Sequence, residues 1–356
     1  MDFSLTEEQE LLQDTVRNFV AKECPPQTVR AIFDGERSLV PGLWKGIAEL
    51  GVAGLVVPES HGGAGLELLE LALVAEVLGR GAVPVPFLGH SLAALALARA
   101  GSAAQQAKWL PRLASGEARA TVALAEDGAR WLPAQWGTPL ENGSVRGRKQ
   151  LVPEAEGADL FVVGCRGGAL ALVEAGSGVR ITPEPTLDRG RALATLDLDD
   201  APAEPLDAPF AARLVDAGCA LLAADAFGAA QELVRATAAY VSSRRQFGQP
   251  IAQFQAIKHQ LANMAVDVDP TRGLWWYAAH AFDHAPDDAP RAAALAKSHI
   301  TERAQQVARD AVELHGGIGF TWECDVHLWF KRVMFDRLWL GAPELHRERF
   351  AALEGW

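Results

Sequence analysis

The sequence has few cysteines, and they are not arranged as a metal site or a disulfide framework would require. Its four cysteines, among 356 residues, are Cys24, Cys165, Cys219 and Cys324, and no two of them form a CxxC pair. Zinc sites need closely spaced cysteines, and disulfide frameworks are typical of short secreted chains. We therefore expect no metal site and no disulfides, and a reducing compartment.

Excess positive charge and long apolar runs are also missing. There are 33 lysines and arginines against 45 aspartates and glutamates, and the net charge of −12 disfavours binding to nucleic acid or to an anionic membrane. The first residues, MDFSLTEEQELLQ, lack the basic and then apolar build of a signal peptide. No run approaches the roughly 20 apolar residues that a membrane span needs. These absences predict a soluble, cytoplasmic protein, although a local basic site could still bind a small anion.

The composition is typical of a globular protein, and the chain divides into three regions with different sequence patterns. Hydrophobic residues make up 49% of the chain and charged residues 22%, and the length predicts two or three domains. Residues 1–118 have the pattern of helices and loops. Residues 119–208 contain short apolar runs broken by Gly, Pro and Asp, which predicts a small antiparallel sheet or barrel. Residues 209–356 predict a bundle of four or five helices, so the fold class is α+β.

A cluster of glycines interrupts this last region. The stretch AVELHGGIGFTWECD places Gly316, Gly317 and Gly319 directly after a strong helical pattern. Glycine inside a helix costs roughly 1 kcal/mol relative to alanine, so their presence needs a reason. One interpretation is a helix C-cap and turn. The other is that a flat or anionic group must approach the backbone closely at this point.

Three stretches of the chain resemble the acyl-CoA dehydrogenase family. YVSSRRQFGQPIAQFQAIKHQLANM is similar to its Y-x-x-x-R-x-Q-F-G-x-x-I-x-x-F-Q signature, and ELHGGIGFTWECDVHLWFKR is similar to its Q-x-x-G-G-x-G-x-x-x-E element. The third stretch is DFSLTEEQELLQDTVRNFV together with ELGVAGLVVPESHGGAGL. The resemblance covers essentially the whole chain. It implies an N-terminal helical domain, a middle β-barrel or sheet domain and a C-terminal four-helix bundle.

The resemblance also implies a cofactor and its contacts. In this family FAD lies across a subunit interface, and Arg244 would pair with its pyrophosphate. Gln246 and Phe247 would hold the adenosine end, and Gly316 and Gly317 would let backbone amides approach. Two further positions belong to the same motifs, and the complete predicted set is Arg244, Gln246, Phe247, Gln255, Glu313, Gly316 and Gly317. Glu313 stands where the family usually has glutamine. Without the resemblance, Arg244 could equally form a surface salt bridge.

The family reaction needs a carboxylate that removes the α-proton of an acyl-CoA while the β-hydride goes to the flavin. Most members carry it in a Y-E-G-T-x-Q run near the C-terminus. The matching run here is WLGAPEL, with Leu340 at the glutamate position. Other members carry the base on the helix before the RxQFG signature, and ungapped counting places that position at Gly218. Neither residue has a carboxylate.

Asp225 is the predicted catalytic base. It lies seven residues after Gly218, two helical turns along the same face, within the apolar run LLAADAFGAAQ. Some members with a similar GGIGFTWE stretch carry glutamate at this position. The alternative is that Asp225 pairs with an arginine of a neighbouring helix. Glu344 is a weaker candidate, because Arg347 lies one turn away and could neutralise it.

The middle region departs from the family as well. A T-E-P-x-x-G-S-D run usually bonds the flavin there, but ALAEDGARWLP keeps only Glu126, with Ala125 and Asp127 beside it. Residues implied for one end of FAD are thus retained, whereas those for the flavin ring are altered. Two functions follow: a dehydrogenase with Asp225 as base, within a homo- or hetero-oligomer, or a structural subunit that completes the FAD site of a paralogous partner. A helical binding protein without flavin is a third. An acyl-CoA substrate and an electron-transfer flavoprotein are the implied partners.

Overall fold

Six helices form the N-terminal part of the computed structural model, which describes residues 4–356. The first is capped by Thr6, whose Oγ1 accepts a hydrogen bond from the Gln9 N–H, while Gln9 Oε1 accepts from the Thr6 N–H. Acidic residues in the first turn add to this start signal. The helices are α1 (Glu7–Glu23), α2 (Pro26–Phe33), α3 (Val40–Glu49), α4 (Leu68–Arg80), α5 (Phe87–Ala100) and α6 (Ala103–Ala114).

A seven-stranded sheet follows, with the order β1-β4-β5-β7-β3-β2 and β6 paired to β7. Its pairs are antiparallel, as predicted, apart from β1 and β4, which run parallel and are joined by a long crossover connection that includes β2 and β3. Alternate residues face two separate cores: Phe161 and Val163 contact the inner sheet core, and Leu160 and Val162 contact the helices. The strands are β1 (Ala120–Ala123), β2 (Leu140–Glu141), β3 (Ser144–Pro153), β4 (Leu160–Cys165), β5 (Ala169–Glu174), β6 (Val179–Glu184) and β7 (Leu193–Pro205).

The C-terminal part is a helical bundle around one long helix, α7. A short hairpin of β8 and β9 follows α7, and five further helices complete the chain. The elements are α7 (Ala211–Ser243), β8 (Arg245–Gln246), β9 (Gln249–Pro250), α8 (Gln255–Val268), α9 (Arg272–His284), α10 (Ala289–His315), α11 (Val326–Leu338) and α12 (Pro343–Leu353). The α+β class, with helices before and after a middle sheet, is confirmed.

Two glycines allow α4 and α7 to pack at backbone contact. A Cβ atom on Gly79 would lie 2.0 Å from the Asp225 carbonyl oxygen, and one on Gly228 would lie 2.0 Å from the Glu76 carbonyl oxygen. Neither position can carry a larger side chain unless the helices move apart. This contact fixes the N-terminal helices against α7 and sets the position of Asp225.

Helix α7 corrects one expectation from the sequence. It is long and apolar enough to cross a membrane by length and composition, although the sequence analysis found no such run. However, 94% of its most apolar 18-residue window is buried inside the protein. Its apolar surface is therefore used by the core. At Pro270 a 3-10 turn over Asp269–Thr271 separates α8 from α9, because proline cannot continue the hydrogen-bond pattern of a helix.

Candidate functional site

A cavity of about 580 Å³ lies where α7 ends beside the end of α10. Five residues of the predicted cofactor set meet in its wall, from segments about 70 residues apart in sequence: Arg244, Gln246, Glu313, Gly316 and Gly317. The other lining residues were not predicted from the sequence, and they are Tyr240, Ile251, Ile257, Gln260, Leu314, His315 and Ile318. Tyr240 could have been found, because it opens the RxQFG signature. Gln260 and His315 have no such signal.

Local backbone geometry positions Arg244. The N–H of Arg244 still donates to the Tyr240 carbonyl at 2.8 Å, but its own backbone is extended and turns the chain out of α7. The hairpin that follows reverses at Phe247 and Gly248, which both have positive φ (51° and 82°). Two successive positive φ angles are typical of a tight two-residue hairpin. The hairpin thereby keeps Arg244 and Gln246 on the cavity wall.

Arg244 does not form the surface salt bridge considered as its alternative role. Within residues 4–356 its guanidinium has no ion-pair partner, and neither does the carboxylate of Glu313 on the same wall. An unpaired guanidinium beside an open cavity is suited to an anionic ligand group. The carboxylate of Glu313 would oppose an anion placed close to it.

The two glycines play different parts. Gly316 caps α10 through its N–H, which donates to the Glu313 carbonyl, and its φ of 64° and ψ of −145° favour glycine strongly. Gly317 has no positive φ, and a Cβ atom added there would meet nothing within 4 Å. Both line the cavity. The C-cap interpretation therefore explains the glycine at position 316. At position 317 the backbone does not require glycine, and the feature left to explain it is its place on the open wall of the cavity.

An aromatic pair holds this segment in place. The rings of Tyr240 and His315 stack with centroids 4.3 Å apart, and the Tyr240 hydroxyl donates to the His315 carbonyl at 3.2 Å. His315 Nδ1 lies 2.7 Å from the Ala311 carbonyl oxygen. These contacts tie the end of α7 to the end of α10. They fix the two halves of the cavity relative to each other.

Phe247 and Gln255 lie outside the cavity wall. Phe247 is 89% exposed and meets the ring of Phe254 edge-on, with centroids 6.0 Å apart. Gln255 is exposed at the start of α8, and its side-chain amide bonds His259 at 2.9 Å. The described chain gives these two side chains no site of their own. Their predicted contact with a cofactor stays a prediction.

The two positions where the family carries its base contact each other here. A Cβ atom on Gly218 would lie 2.3 Å from Cδ1 of Leu340 and 3.5 Å from Cδ1 of Leu92. Leu340 is fully buried, and its carbonyl oxygen lies 2.9 Å from Nε2 of His346. Burial, and then the nearby Lys297, lower the pKa of His346 to about 3. Apolar packing therefore occupies the space in which a carboxylate would act.

Asp225 is bound by two arginines. It is 3% exposed, Arg191 donates to its Oδ2, and Arg332 Nη1 lies 3.4 Å from its Oδ1. Arg332 also donates to Asp188 at 2.7 Å and to the Val83 carbonyl at 3.1 Å. This is the pairing named as the alternative to catalysis. Both carboxylate oxygens of Asp225 are therefore engaged by buried guanidinium groups, and neither is free to face a substrate.

Asp336 lies beside Asp225 and its two arginines, and its carboxyl group is buried without a hydrogen-bond partner for either oxygen among residues 4–356. Burial, and then the charge of Asp225, raise the pKa of Asp336 well above the usual range. The raised pKa favours the uncharged form of this carboxyl next to Asp225. Glu344, the weaker candidate base, is exposed and lies 3.4 Å from Arg347.

In the middle region Glu126 has a structural role. It accepts hydrogen bonds from the buried Lys149 at 2.7 Å and from the Gly137 and Thr138 backbone N–H groups. Burial opposes the charge, but the Lys149 and Thr138 hydrogen bonds lower the pKa of Glu126 to about 2. The pair organises the loop from 126 to 138. That loop carries Trp131 over to the C-terminal bundle.

Tryptophans fill the space between the sheet and the bundle. The rings of Trp131 and Trp339 meet edge-on with centroids 5.8 Å apart, and both side chains are buried. Trp339 Nε1 donates to the Leu151 carbonyl at 2.9 Å. Counted along the T-E-P-x-x-G-S-D run, Trp131 stands at the serine position, and Trp339 stands at the tyrosine of Y-E-G-T. Indole side chains thus stand at the positions of a serine and a tyrosine in the two family motifs.

The residues of the α7–α10 cavity therefore suit part of a flavin cofactor. The residues between the sheet and the bundle do not. The α7–α10 cavity offers an unpaired guanidinium, two side-chain amides, apolar walls and glycine backbone, which fit the phosphates and purine of a dinucleotide. Between the sheet and the bundle, the buried rings of Trp131 and Trp339 meet at the positions where the family's flavin-ring motifs would stand.

Comparisons with known proteins define the class. The acyl-CoA dehydrogenase N-terminal domain matches residues 6–117, and the acyl-CoA dehydrogenase C-terminal domain matches residues 210–353. The chain belongs to the acyl-CoA dehydrogenase family, which is a family of flavoprotein oxidoreductases.

Individual relatives are similar over their full length. The chain is 34% identical over 351 residues to the acyl-CoA dehydrogenase IpdE2 of Mycolicibacterium smegmatis, covering 98% of this chain and 99% of that one. It is 36% identical over 343 residues to IpdE2 of Mycobacterium tuberculosis, covering 95% and 94%. Among solved structures, a variant of the Tcur3481-Tcur3483 steroid ACAD matches with a TM-score of 0.91 at 32% identity, covering 98% of each chain. The ChsE4-ChsE5 complex from Mycobacterium tuberculosis matches with a TM-score of 0.89 at 30% identity, covering 100% and 99%.

Proposed function

We propose that this chain is one subunit of a heteromeric, FAD-dependent acyl-CoA dehydrogenase, and that a paralogous partner supplies the catalytic base and the flavin-ring contacts. The observation that carries the proposal is the packing of Leu340 against Gly218. Both positions that serve as base in the family lack a carboxylate here, and the Leu340 side chain fills the space beside Gly218. The ion pairs of Asp225 and the edge-on contact of the buried Trp131 and Trp339 support the same division of labour.

The chain's own contribution is the α7–α10 cavity. Arg244 would form a charge-assisted contact with the pyrophosphate, and Gln246 would bond the adenosine end. Gly317, which has no side chain, would let backbone come close to the cofactor. The bound flavin supplies an acceptor for the β-hydride of an acyl-CoA. Removal of the α-proton needs a desolvated carboxylate, which the partner would provide.

Other parts of the assignment follow from the family and the relatives. An acyl-CoA is the proposed substrate, an electron-transfer flavoprotein the proposed electron acceptor, and the cytoplasm the proposed location. A relative described as a steroid ACAD and a relative described as a two-component complex favour a bulky acyl group and a heteromer.

The first experiment is to purify this chain alone and count FAD per chain from the visible absorption spectrum. We expect a colourless or substoichiometric protein that reaches full loading only when a paralogous family member is co-expressed. Arg244→Gln should then reduce the flavin content of the complex, whereas the matched variant Arg245→Gln should not, because Arg245 bonds its own hairpin at the Gly248 carbonyl instead of lining the cavity.

The same experiment decides the second candidate, a self-sufficient homo-oligomer with Asp225 as base. Asp225 is a buried carboxylate on α7, two turns from Gly218, and that placement is what favours it. One flavin per chain in the protein purified alone, bleached by an acyl-CoA, would reject the heteromer. In that case, if an acyl-CoA no longer bleached the flavin of the Asp225→Asn variant, Asp225 would be identified as the base.

A further inference from the structure

Trp322 is a partly exposed side chain that is nevertheless fixed on several sides. It is 41% exposed, yet its Nε1 donates to Asp34 Oδ1 at 3.0 Å and its ring stacks on His327 with centroids 4.3 Å apart. Its carbonyl oxygen accepts a hydrogen bond from Arg30. These contacts hold the indole in one orientation at the surface of the protein.

Two cations converge on this ring from different parts of the chain. Lys331 Nζ lies 4.1 Å from the Trp322 ring centroid, and the guanidinium carbon of Arg189 lies 5.5 Å from it. Lys331 is on α11, and Arg189 is in the loop between β6 and β7. We call these residues together with His327 the Trp322 patch: Arg189, Trp322, His327 and Lys331.

The cations of the Trp322 patch lack counter-ions. Across the described chain, neither Lys331 nor Arg189 has a carboxylate within ion-pair distance. Three carboxylates near the patch are engaged elsewhere: Asp34 with the indole N–H, Asp325 with Arg30, and Asp188 with Arg332. Such a gap is unexpected in a protein with a net charge of −12, where carboxylates are in excess.

The cations also act on each other. Burial, and then Arg189, lower the pKa of Lys331, although Asp188 and Asp34 act on it in the opposite direction. Burial, and then Lys331, lower the pKa of His327. Like charges held this close are unfavourable unless an anion joins them. The fold thus holds Arg189 and Lys331 close together without an ion-pair partner for either in the described chain.

We propose that the Trp322 patch binds a phosphate group of a nucleotide, with Arg189 and Lys331 as its charge-assisted donors and Trp322 as an aromatic surface beside it. A phosphate fits better than a carboxylate because it carries up to two negative charges for two cations, and because a guanidinium can bond two phosphate oxygens at once. Adenosine phosphates and free inorganic phosphate share this chemistry. The patch shares no residue with the wall of the α7–α10 cavity.

The test is isothermal titration of the full-length chain with adenosine 3′,5′-bisphosphate, inorganic phosphate and uncharged adenosine at constant ionic strength. We expect saturable binding of at least one phosphate ligand and none of adenosine. Lys331→Gln should weaken that binding about tenfold or more, the loss of roughly one charge-assisted contact. The control Lys45→Gln should bind as the wild type does, because Lys45 is an exposed lysine on α3 that faces Glu49.

Arg189→Gln gives an independent check if Lys331→Gln folds poorly, and Trp322→Phe reports the contribution of the indole. Tighter binding of the nucleotide than of inorganic phosphate, lost in Trp322→Phe, identifies a nucleotide as the source, and equal binding identifies free phosphate. Absence of saturable phosphate binding, or binding unchanged in both charge variants, overturns the proposal. Arg244→Gln should leave this binding intact, so the result is separate from the flavin experiment.

Discussion

The buried side chain of Leu340 occupies the space that a side chain at Gly218 would need. The Cδ1 atom of Leu340 lies 2.3 Å from where a Cβ atom of residue 218 would stand, although the two residues are more than 120 positions apart. Leu340 reaches this position with a φ of 62°, which is uncommon for a side chain of its size. The two substitutions that remove the family's carboxylates are therefore structurally coupled.

This coupling predicts opposite effects of one substitution in two backgrounds. Gly218→Ala should destabilise the wild type, because overpacking costs about 1–3 kcal/mol and exceeds the gain of about 1 kcal/mol in helix propensity. In a Leu340→Ala background the clash is gone, and Gly218→Ala should become stabilising. Urea unfolding of the wild type, the two single variants and the double variant measures the effect of Gly218→Ala on the free energy of unfolding in each background. Equal effects of Gly218→Ala in the two backgrounds would show that Leu340 moves away freely.

Asp225→Asn should destabilise the protein by roughly 3–5 kcal/mol, because Arg191 and Arg332 would be left as buried charges without their partner. The lower urea midpoint should appear without any specific effect on flavin chemistry in the assembled enzyme. Asp216→Asn offers a comparison, since Asp216 is a buried α7 aspartate bonded to the single arginine Arg349. A large loss of turnover per flavin with unchanged stability would instead identify Asp225 as the base.

Asp336→Asn should change how stability depends on pH. A carboxyl whose pKa is raised by burial and by Asp225 stabilises the fold while it is protonated. Wild-type stability should therefore fall as the pH rises above the ordinary aspartate range, by up to about 1.4 kcal/mol per pH unit, until the raised pKa is passed. The asparagine variant should lack this slope, and the exposed Asp287→Asn should keep it. The same slope in wild type and Asp336→Asn would mean that other groups cause it.

Gly316→Ala and Gly317→Ala should separate stability from cofactor binding. At Gly316 the positive φ makes alanine strained, by about 1–3 kcal/mol, and unfolding should show it. At Gly317 the space is open and φ is not positive, so stability should hardly change. The added methyl group faces the cavity wall, however, and should lower FAD retention in the heteromeric enzyme. Full FAD content in Gly317→Ala would remove the close-approach interpretation of that residue.

Much of this molecule could be predicted from the sequence, because local patterns determine it. Periodic apolar residues and the Thr6 capping box determine the helices, and short runs between Gly, Pro and Asp determine the strands. Motif spacing identified Arg244 and Gly316, and the structure brings both to one cavity. The parallel pairing of β1 with β4 was not predicted, since it depends on a crossover that no local pattern records.

The roles of the charged residues were decided only by tertiary structure. A carboxylate in an apolar helix indicates that a partner exists, but Arg191 and Arg332 come from a β-loop and from α11, and no spacing rule connects them to Asp225. The same holds for Lys149 with Glu126 and for Leu340 with Gly218. Local sequence determines which elements form. Which side chains neutralise or exclude one another depends on how distant elements pack.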